Sequence, residues 1–453
     1  MSTPRLSDAT LARVSSAVAH PGYDRGAQRI GIVHLGLGAF ARAHLACYTD
    51  DALAAGERDW AIAGVSLRTT AVAAQLGPQD GLFTLAERSG AGLRARIIGA
   101  IREVVAAPQA PGRAEALIAA PTTHIVSLTV TEKAYASDAA PGGLYPLLAE
   151  GLRRRRAAGL AGLTLVSCDN LAGNGRVLEA GLCRHLEAGD AALARWVADE
   201  CAFPVTMVDR IVPATTEADR AAVAQALGGV SDEGAVVTEP FRQWVIEDRF
   251  AGPRPGWEHG GAALVSDVAP YEAAKLRMLN GAHSALAYLG LERGHGLVHE
   301  AIADPSLRAL VERLMREEAA PTIAPAPGQD LAAYATALLA RFANPALRHR
   351  LVQIAADGSS KLPQRWLPVL AENRRRGVRC PAILAALGGW LRHVRGDNVR
   401  RWGAVEDPQA QALAALASRG DAASMASALF GPGGLLAGHW QPDAADLALI
   451  IGA

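Results

Sequence analysis

The stretch that most restricts the fold is Arg29-Ile-Gly-Ile-Val-His-Leu35, running directly into Gly36-Leu-Gly38-Ala-Phe-Ala41. A short apolar run closed by glycine reads as a strand buried on both faces, the kind found in parallel sheets. Residues 42–50 then have a helical pattern, and a second apolar run over residues 60–67 follows at a distance that suits a crossover. Strand, tight turn, helix and strand again are the context in which G-x-G-x-x-G/A marks a dinucleotide site. In that setting Gly36 permits the turn, Gly38 lets a pyrophosphate approach the backbone, and Ala41 keeps helix and strand close. In a chain with 46 glycines the motif alone carries little, and its flanks give it weight. The acid expected at the end of the second strand, where it would hold the adenosine ribose, is missing: the run ends Ser66-Leu67-Arg68-Thr69-Thr70. Arg68 suits a 2′-phosphate or a stacked adenine, so this route leaves NAD and NADP both open.

A chain of 453 residues is too long for one ordinary core. Strand-like runs over residues 82–87, 94–98, 124–129 and 163–167 fit the same sheet, and helical stretches separate the later ones. They predict an α/β Rossmann-type doubly wound sheet domain over residues 1–265, approached by one helix over residues 11–18. Beyond it the patterns turn helical: 272–290, 307–318, 331–342, 345–355, 367–375 and 381–392. A mostly α-helical C-terminal domain, residues 266–453, is the expectation.

Acidic and basic residues balance at 45 each, so no whole-molecule field favours nucleic acid or an anionic membrane. The arginine runs 153–156 and 374–376 lie in helical patterns and read as solvated faces. Five scattered cysteines without C-x-x-C spacing imply a reducing compartment and no structural zinc. The N-terminal Met-Ser-Thr-Pro-Arg-Leu-Ser-Asp has no apolar core, and no run of about 18 apolar residues occurs. A cytoplasmic protein, monomeric or a small homo-oligomer, is expected.

Chemistry concentrates in Pro270-Tyr-Glu-Ala-Ala-Lys-Leu-Arg-Met-Leu-Asn-Gly-Ala-His283. On a straight helix of about 100° per residue, Lys275, Glu272, His283 and Asn280 fall near 0°, 60°, 80° and 140°. An acid, an amine, an imidazole and an amide thus share one side, with Leu276 and Leu279 among them. A partly solvated Glu–Lys pair explains that face as well as a catalytic set does. Next to a dinucleotide site, the set suits hydride transfer between a carbinol and a carbonyl: one proton must move and oxygen charge must be stabilised. Lys275 is the candidate general acid/base, and Asn280 and Asn170 are neutral donors for the carbonyl oxygen. His283 is a candidate for orienting substrate, and Glu272 for passing protons to solvent. Asn170 follows the 163–167 strand in Cys168-Asp-Asn170, outside its carboxyl end, where substrates bind. Asp209-Arg210 ends a further strand-like run and reads equally as a structural pair. No His/Cys/Asp cluster has catalytic-zinc spacing, and neither G-x-S-x-G nor G-x-x-x-x-G-K-[ST] occurs.

These pieces together resemble the polyol-specific long-chain dehydrogenases, the mannitol dehydrogenase family. The matching segments are His34-Leu-Gly-Leu-Gly-Ala-Phe-Ala-Arg-Ala-His44, Val126-Ser-Leu-Thr-Val-Thr-Glu-Lys133, Ser167-Cys-Asp-Asn170, Met207-Val-Asp-Arg210, Glu239-Pro-Phe-Arg-Gln-Trp-Val-Ile-Glu-Asp248 and the K-x₄-N-x₂-H run from Lys275 to His283. The resemblance implies a nucleotide-binding domain followed by a helical one, a metal-independent NAD reaction, and a site between them. It implies Lys275 as general acid/base, Asn170 and Asn280 as the oxyanion-type pair, and His283 and Asp209 lining the substrate site. The run Asn344-Pro-Ala-Leu-Arg-His-Arg350 through Asp-Gly-Ser-Ser-Lys361-Leu-Pro-Gln-Arg365 resembles the fructuronate reductase (D-mannonate oxidoreductase) branch. Gln353 stands where mannitol dehydrogenases tend to carry an arginine. A uronate brings a carboxylate, and Arg348, Arg350, Lys361 and Arg365 are a supply of cations to meet it. Reduction of D-fructuronate to D-mannonate is therefore expected. The alternative is a neutral ketose/polyol pair such as fructose/mannitol or xylulose/arabinitol.

Overall fold

The computed structural model describes residues 3–131, 134–135, 143–418 and 421–452. Glu132 and Lys133, the end of one segment that carries the family resemblance, lie outside them. The chain divides into two compact units, residues 1–268 and 269–453.

The first unit contains β1 (Ile30–Leu35), β2 (Ala61–Ser66), β3 (Phe83–Ser89), β4 (Gly92–Ile98), β5 (Ile101–Ala106), β6 (Ile125–Leu128), β7 (Thr164–Ser167), β8 (Thr206–Asp209), β9 (Val236–Thr238), β10 (Gln243–Glu247) and β11 (Ala263–Val265). Five of them form one parallel sheet in the order β5-β2-β1-β6-β7. The order reverses direction at β1, the topological switch point of a Rossmann-type sheet, outside which such folds take their ligand. Alternate residues feed two cores. Val33, Leu35, Ala63, Val65, Val126 and Leu128 face one layer, and Ile32, Ile62, Ile125 and Val166 the other. That two-residue period is the pleat of strands covered on both faces.

Two expectations are corrected. The runs at 82–87 and 94–98 do not extend the parallel sheet: β3 pairs antiparallel with β4 and parallel with β9, in a sheet of its own. The helix expected over residues 11–18 is instead a 3-10 turn over Asp8–Arg13, where Ser7 and Thr10 close a reciprocal capping box at its start. A third small sheet, β11-β10-β8, sets the end of β8 and its Asp209 beside Gln243 of β10.

The second unit is helical. Helices Leu331–Phe342 and Leu367–Arg375 coincide with the sequence patterns, and Pro381–Arg395 extends its pattern by one turn. The pattern at 345–355 shortens to Leu351–Ala355, and Gly358–Arg365 forms an unforeseen helix that contains Pro363. The core of this unit runs from Ala274 and Met278 through Trp366 and Trp390 to Ile450. No helix among the described residues is long and apolar enough to cross a membrane.

Candidate active site

In the first unit, β1 delivers the chain into Gly36 at φ +95, where a Cβ would stand 2.1 Å from the Thr129 carbonyl oxygen. Glycine is compulsory here because the loop after β6 crosses over it. Gly38 differs. It caps the helix Ala39–Ala43, and the nearest atom to an added Cβ would be the Gly36 oxygen at 3.8 Å. The protein itself does not demand glycine there, and the space is left for something that approaches the backbone. Ala41 is buried beneath the turn. A cavity of about 550 Å³ opens in front, lined by Gly36, Gly38, Ser66, exposed Arg68, Thr129 and Thr131 among others. Among the described residues no acidic side chain lines it. The open backbone and the size suit a dinucleotide.

His34 ties this turn to β6. Its Nδ1 lies 2.8 Å from the Ser127 hydroxyl and its Nε2 3.0 Å from the Thr129 hydroxyl, which donates to the Gly36 carbonyl at 2.7 Å. The Thr129 proton being committed, Nε2 must carry the ring hydrogen, and Nδ1 accepts from Ser127. Burial pushes His34 down to about 4, so the ring is neutral.

At the end of β7 stands a residue that the sequence reading passed over. Asp169, 8% exposed, accepts the backbone N–H groups of Val130 at 2.8 Å and Thr131 at 3.0 Å, and the Tyr135 hydroxyl at 2.6 Å. Burial pushes its carboxyl up, and these three donors oppose the shift. The signal was an acid directly after a buried strand, beside the asparagine that drew attention. Asn170 is exposed on the same turn. Asp209, buried, ends β8. Arg210 is structural: it donates to the carbonyls of Ala43 (2.6 Å) and Glu239 (2.9 Å) and pairs with Glu87 at 2.6 Å.

In the second unit the helix over residues 269–292 is α over Ala269–Ala274, π over Lys275–Asn280, and α again over Gly281–Glu292. The straight wheel is therefore corrected. In i→i+5 bonding, residues five apart become neighbours along the axis, and Lys275 and Asn280 are five apart. His283 follows three residues later on resumed α geometry, so amine, amide and imidazole draw together more closely than 100° per residue implies. Lys275, Asn280 and Glu272 are half-buried. His283, 8% exposed, is held between Phe342 (ring centroids 4.7 Å apart) and His349 (5.4 Å). Its Nε2 has no hydrogen-bond partner among the described residues. Burial, then the nearby His349, Arg341 and Arg365, holds its pKa well below the usual imidazole range.

The cations read as substrate-binding differ in setting. Arg365 is half-buried; its Nη1 donates to the Asn280 carbonyl at 3.2 Å and the Ser284 hydroxyl at 2.7 Å, and burial pulls it down to about 10. Half-buried Lys361 donates to the carbonyls of Ala356 (2.5 Å) and Ile354 (3.3 Å). Arg348 and Arg350 are exposed. Sequence reasoning also missed His349, Phe342 and Ser284, whose proximity to His283 and Arg365 only the fold creates. No group of three or more His, Cys, Asp or Glu side chains placed to hold a metal occurs among the described residues.

Residues 30–259 match the mannitol dehydrogenase Rossmann domain, and residues 267–430 the mannitol dehydrogenase C-terminal domain. The chain belongs to the mannitol dehydrogenase family. It is an oxidoreductase acting on CH–OH groups. It is 40% identical to the D-mannonate oxidoreductase of Escherichia coli K12, over 98% of this chain and 96% of that one. It is 38% identical to the mannitol 2-dehydrogenase of Phaeosphaeria nodorum, over 92% of this chain and 78% of that one. The structure of Pseudomonas fluorescens mannitol 2-dehydrogenase in ternary complex with NAD and D-mannitol superposes with a TM-score of 0.87 at 33% identity, covering 99% of this chain and 96% of that one.

Proposed function

We propose that the chain is an NAD-dependent oxidoreductase that interconverts the ketone and the secondary alcohol of a sugar acid, with D-fructuronate and D-mannonate as the pair. The observation that carries the sugar-acid reading is Arg365. Among the described residues its hydrogen bonds go to two neutral oxygens and none to a carboxylate. A desolvated cation without a counter-ion is costly, and a substrate carboxylate meeting its remaining N–H edge relieves that cost. Lys361 and Arg348 are the further cations assigned to substrate, and Asp209 the acceptor for its hydroxyls.

Gly36, Gly38, Ala41 and Arg68 would hold the dinucleotide, which when bound supplies or takes up the hydride. The chain provides the rest. In reduction Lys275 gives a proton from Nζ to the carbonyl oxygen, and in oxidation it takes the hydroxyl proton back. Asn280 in the second unit, and Asn170 in the first, donate to substrate oxygen as its charge develops. Neutral His283 offers its unpartnered Nε2 to a substrate hydroxyl. Glu272, one turn before Lys275, passes protons to solvent.

A second reading, a neutral ketose/polyol pair, is favoured by the 38% identity to mannitol 2-dehydrogenases and the TM-score of 0.87 to a D-mannitol complex. Arg365→Gln separates the two. On the sugar-acid reading kcat/KM for fructuronate falls about 100-fold, and any loss on fructose or xylulose is much smaller. Equal losses on charged and neutral ketoses contradict a carboxylate-reading role.

A further inference from the structure

Three observations meet at the carboxyl ends of β6 and β7. The loop over residues 129–131 closes over Gly36, and Thr129, Val130 and Thr131 line the cavity assigned to the dinucleotide. Thr131 stands at φ +77, a conformation that a β-branched residue adopts only under constraint. The constraint is visible: the Asp169 carboxylate takes the backbone N–H groups of both Val130 and Thr131, and its other oxygen takes the Tyr135 hydroxyl. Tyr135 also lies 2.7 Å from the Ser167 hydroxyl, so the clamp is anchored on the last residue of β7. The residue directly after Asp169 is Asn170, the assigned oxygen donor.

We propose that Asp169 is a positioning residue that locks the dinucleotide-binding loop and the Asn170 turn into one piece, so that cofactor affinity and the placement of the oxygen donor are set together. The inference rests on the dinucleotide and Asn170 roles proposed above. It adds that a buried carboxylate which meets neither cofactor nor substrate governs both. Two main-chain donors on one oxygen fix the loop path; the Tyr135 hydroxyl on the other fixes the carboxylate plane, and with it the direction in which the chain leaves toward Asn170. Asparagine at this position preserves much of the arrangement, because its amide oxygen still accepts both N–H groups and its amide nitrogen can donate to the Tyr135 oxygen.

The test uses the full chain, with NADH affinity read by fluorescence titration and kcat measured at saturating NADH on whichever ketose or hexuronate the unaltered protein turns over fastest. Asp169→Ala is expected to weaken NADH binding about tenfold and to lower kcat about 100-fold, with the KM for the carbonyl substrate nearly unchanged. Asp169→Asn restores most of both losses, and Tyr135→Phe gives a smaller loss of the same two quantities. A merely structural role lowers the melting temperature and the folded fraction and leaves NADH affinity and kcat per folded molecule alone; that outcome overturns the proposal. If Asp169→Ala does not fold, Asp169→Asn and Tyr135→Phe decide it, and wild-type values in both overturn it. Failure of the unaltered chain to bind NADH overturns the dinucleotide reading itself, whereas normal binding by the unaltered chain with unaltered variants overturns this proposal alone.

Discussion

Gly36 sits at φ +95 with the Thr129 carbonyl oxygen 2.1 Å from where a Cβ would stand, while the same test at Gly38 finds nothing nearer than 3.8 Å. The two glycines of one motif are therefore glycine for different reasons, and substitution separates them. Gly36→Ala is expected to destabilise the fold by at least about 2 kcal/mol, read as a lower melting temperature. Gly38→Ala should fold as the parent does and lose NADH affinity in titration; normal affinity there would mean that no pyrophosphate approaches Gly38. His34 carries a pH dependence. Its folded pKa of about 4 lies below the ordinary 6.5, so between those values the unfolded chain holds a proton that the folded chain does not. Its stabilising contribution is complete above about pH 6.5 and is lost as pH falls toward 4. The melting temperature should rise with pH across that window, and His34→Asn, which removes the titrating ring, should flatten part of the rise. At this scale the sequence was legible where a residue type has few uses, as at the glycine that ends β1. Asp169 was not legible, because an acid beside an asparagine in a turn has many uses. Its work is defined by Val130, Thr131 and Tyr135, which only the fold brings to it.

Elements with a clean period and firm caps were readable almost to the residue. Leu331–Phe342 starts at Asp330, whose side chain takes the N–H groups of Ala332 and Ala333, and Leu367–Arg375 has proline in its first turn. Sheet membership was readable only in part: the runs at 60–67, 124–129 and 163–167 do join the parallel sheet of β1. The runs at 82–87 and 94–98 have strand character, but pairing partners such as β9 lie far along the chain. The π turn at Lys275–Asn280 was equally hidden, because a 100° wheel presumes the answer. It is also the element with most at stake. Inserting one alanine after Leu276 puts Lys275 six positions before Asn280 and should rotate it away from Asn280 and His283 by about 100°. The variant is expected to keep its circular dichroism and to lose at least about 100-fold in kcat. Retention of activity would show that the alignment of Lys275 with Asn280 and His283 is incidental to the chemistry.

On the scale of the whole molecule, the two units each carry their own apolar cores, and the functional assignments divide between them. The first unit supplies the open glycine turn, the loop clamped by Asp169, Asn170 and Asp209. The second holds Lys275, Asn280, His283 and a set of cations that includes Arg365, whose hydrogen bonds among the described residues go to neutral oxygens. The reaction class follows from the family; the proposed substrate rests on Arg365, Lys361 and Arg348, a few charges among 453 residues. NADH oxidation by the purified protein, followed in parallel with fructuronate, tagaturonate, fructose and xylulose, tests that most directly. A hexuronate should be turned over with kcat/KM at least about tenfold above either neutral ketose. Turnover confined to the neutral ketoses would contradict the account.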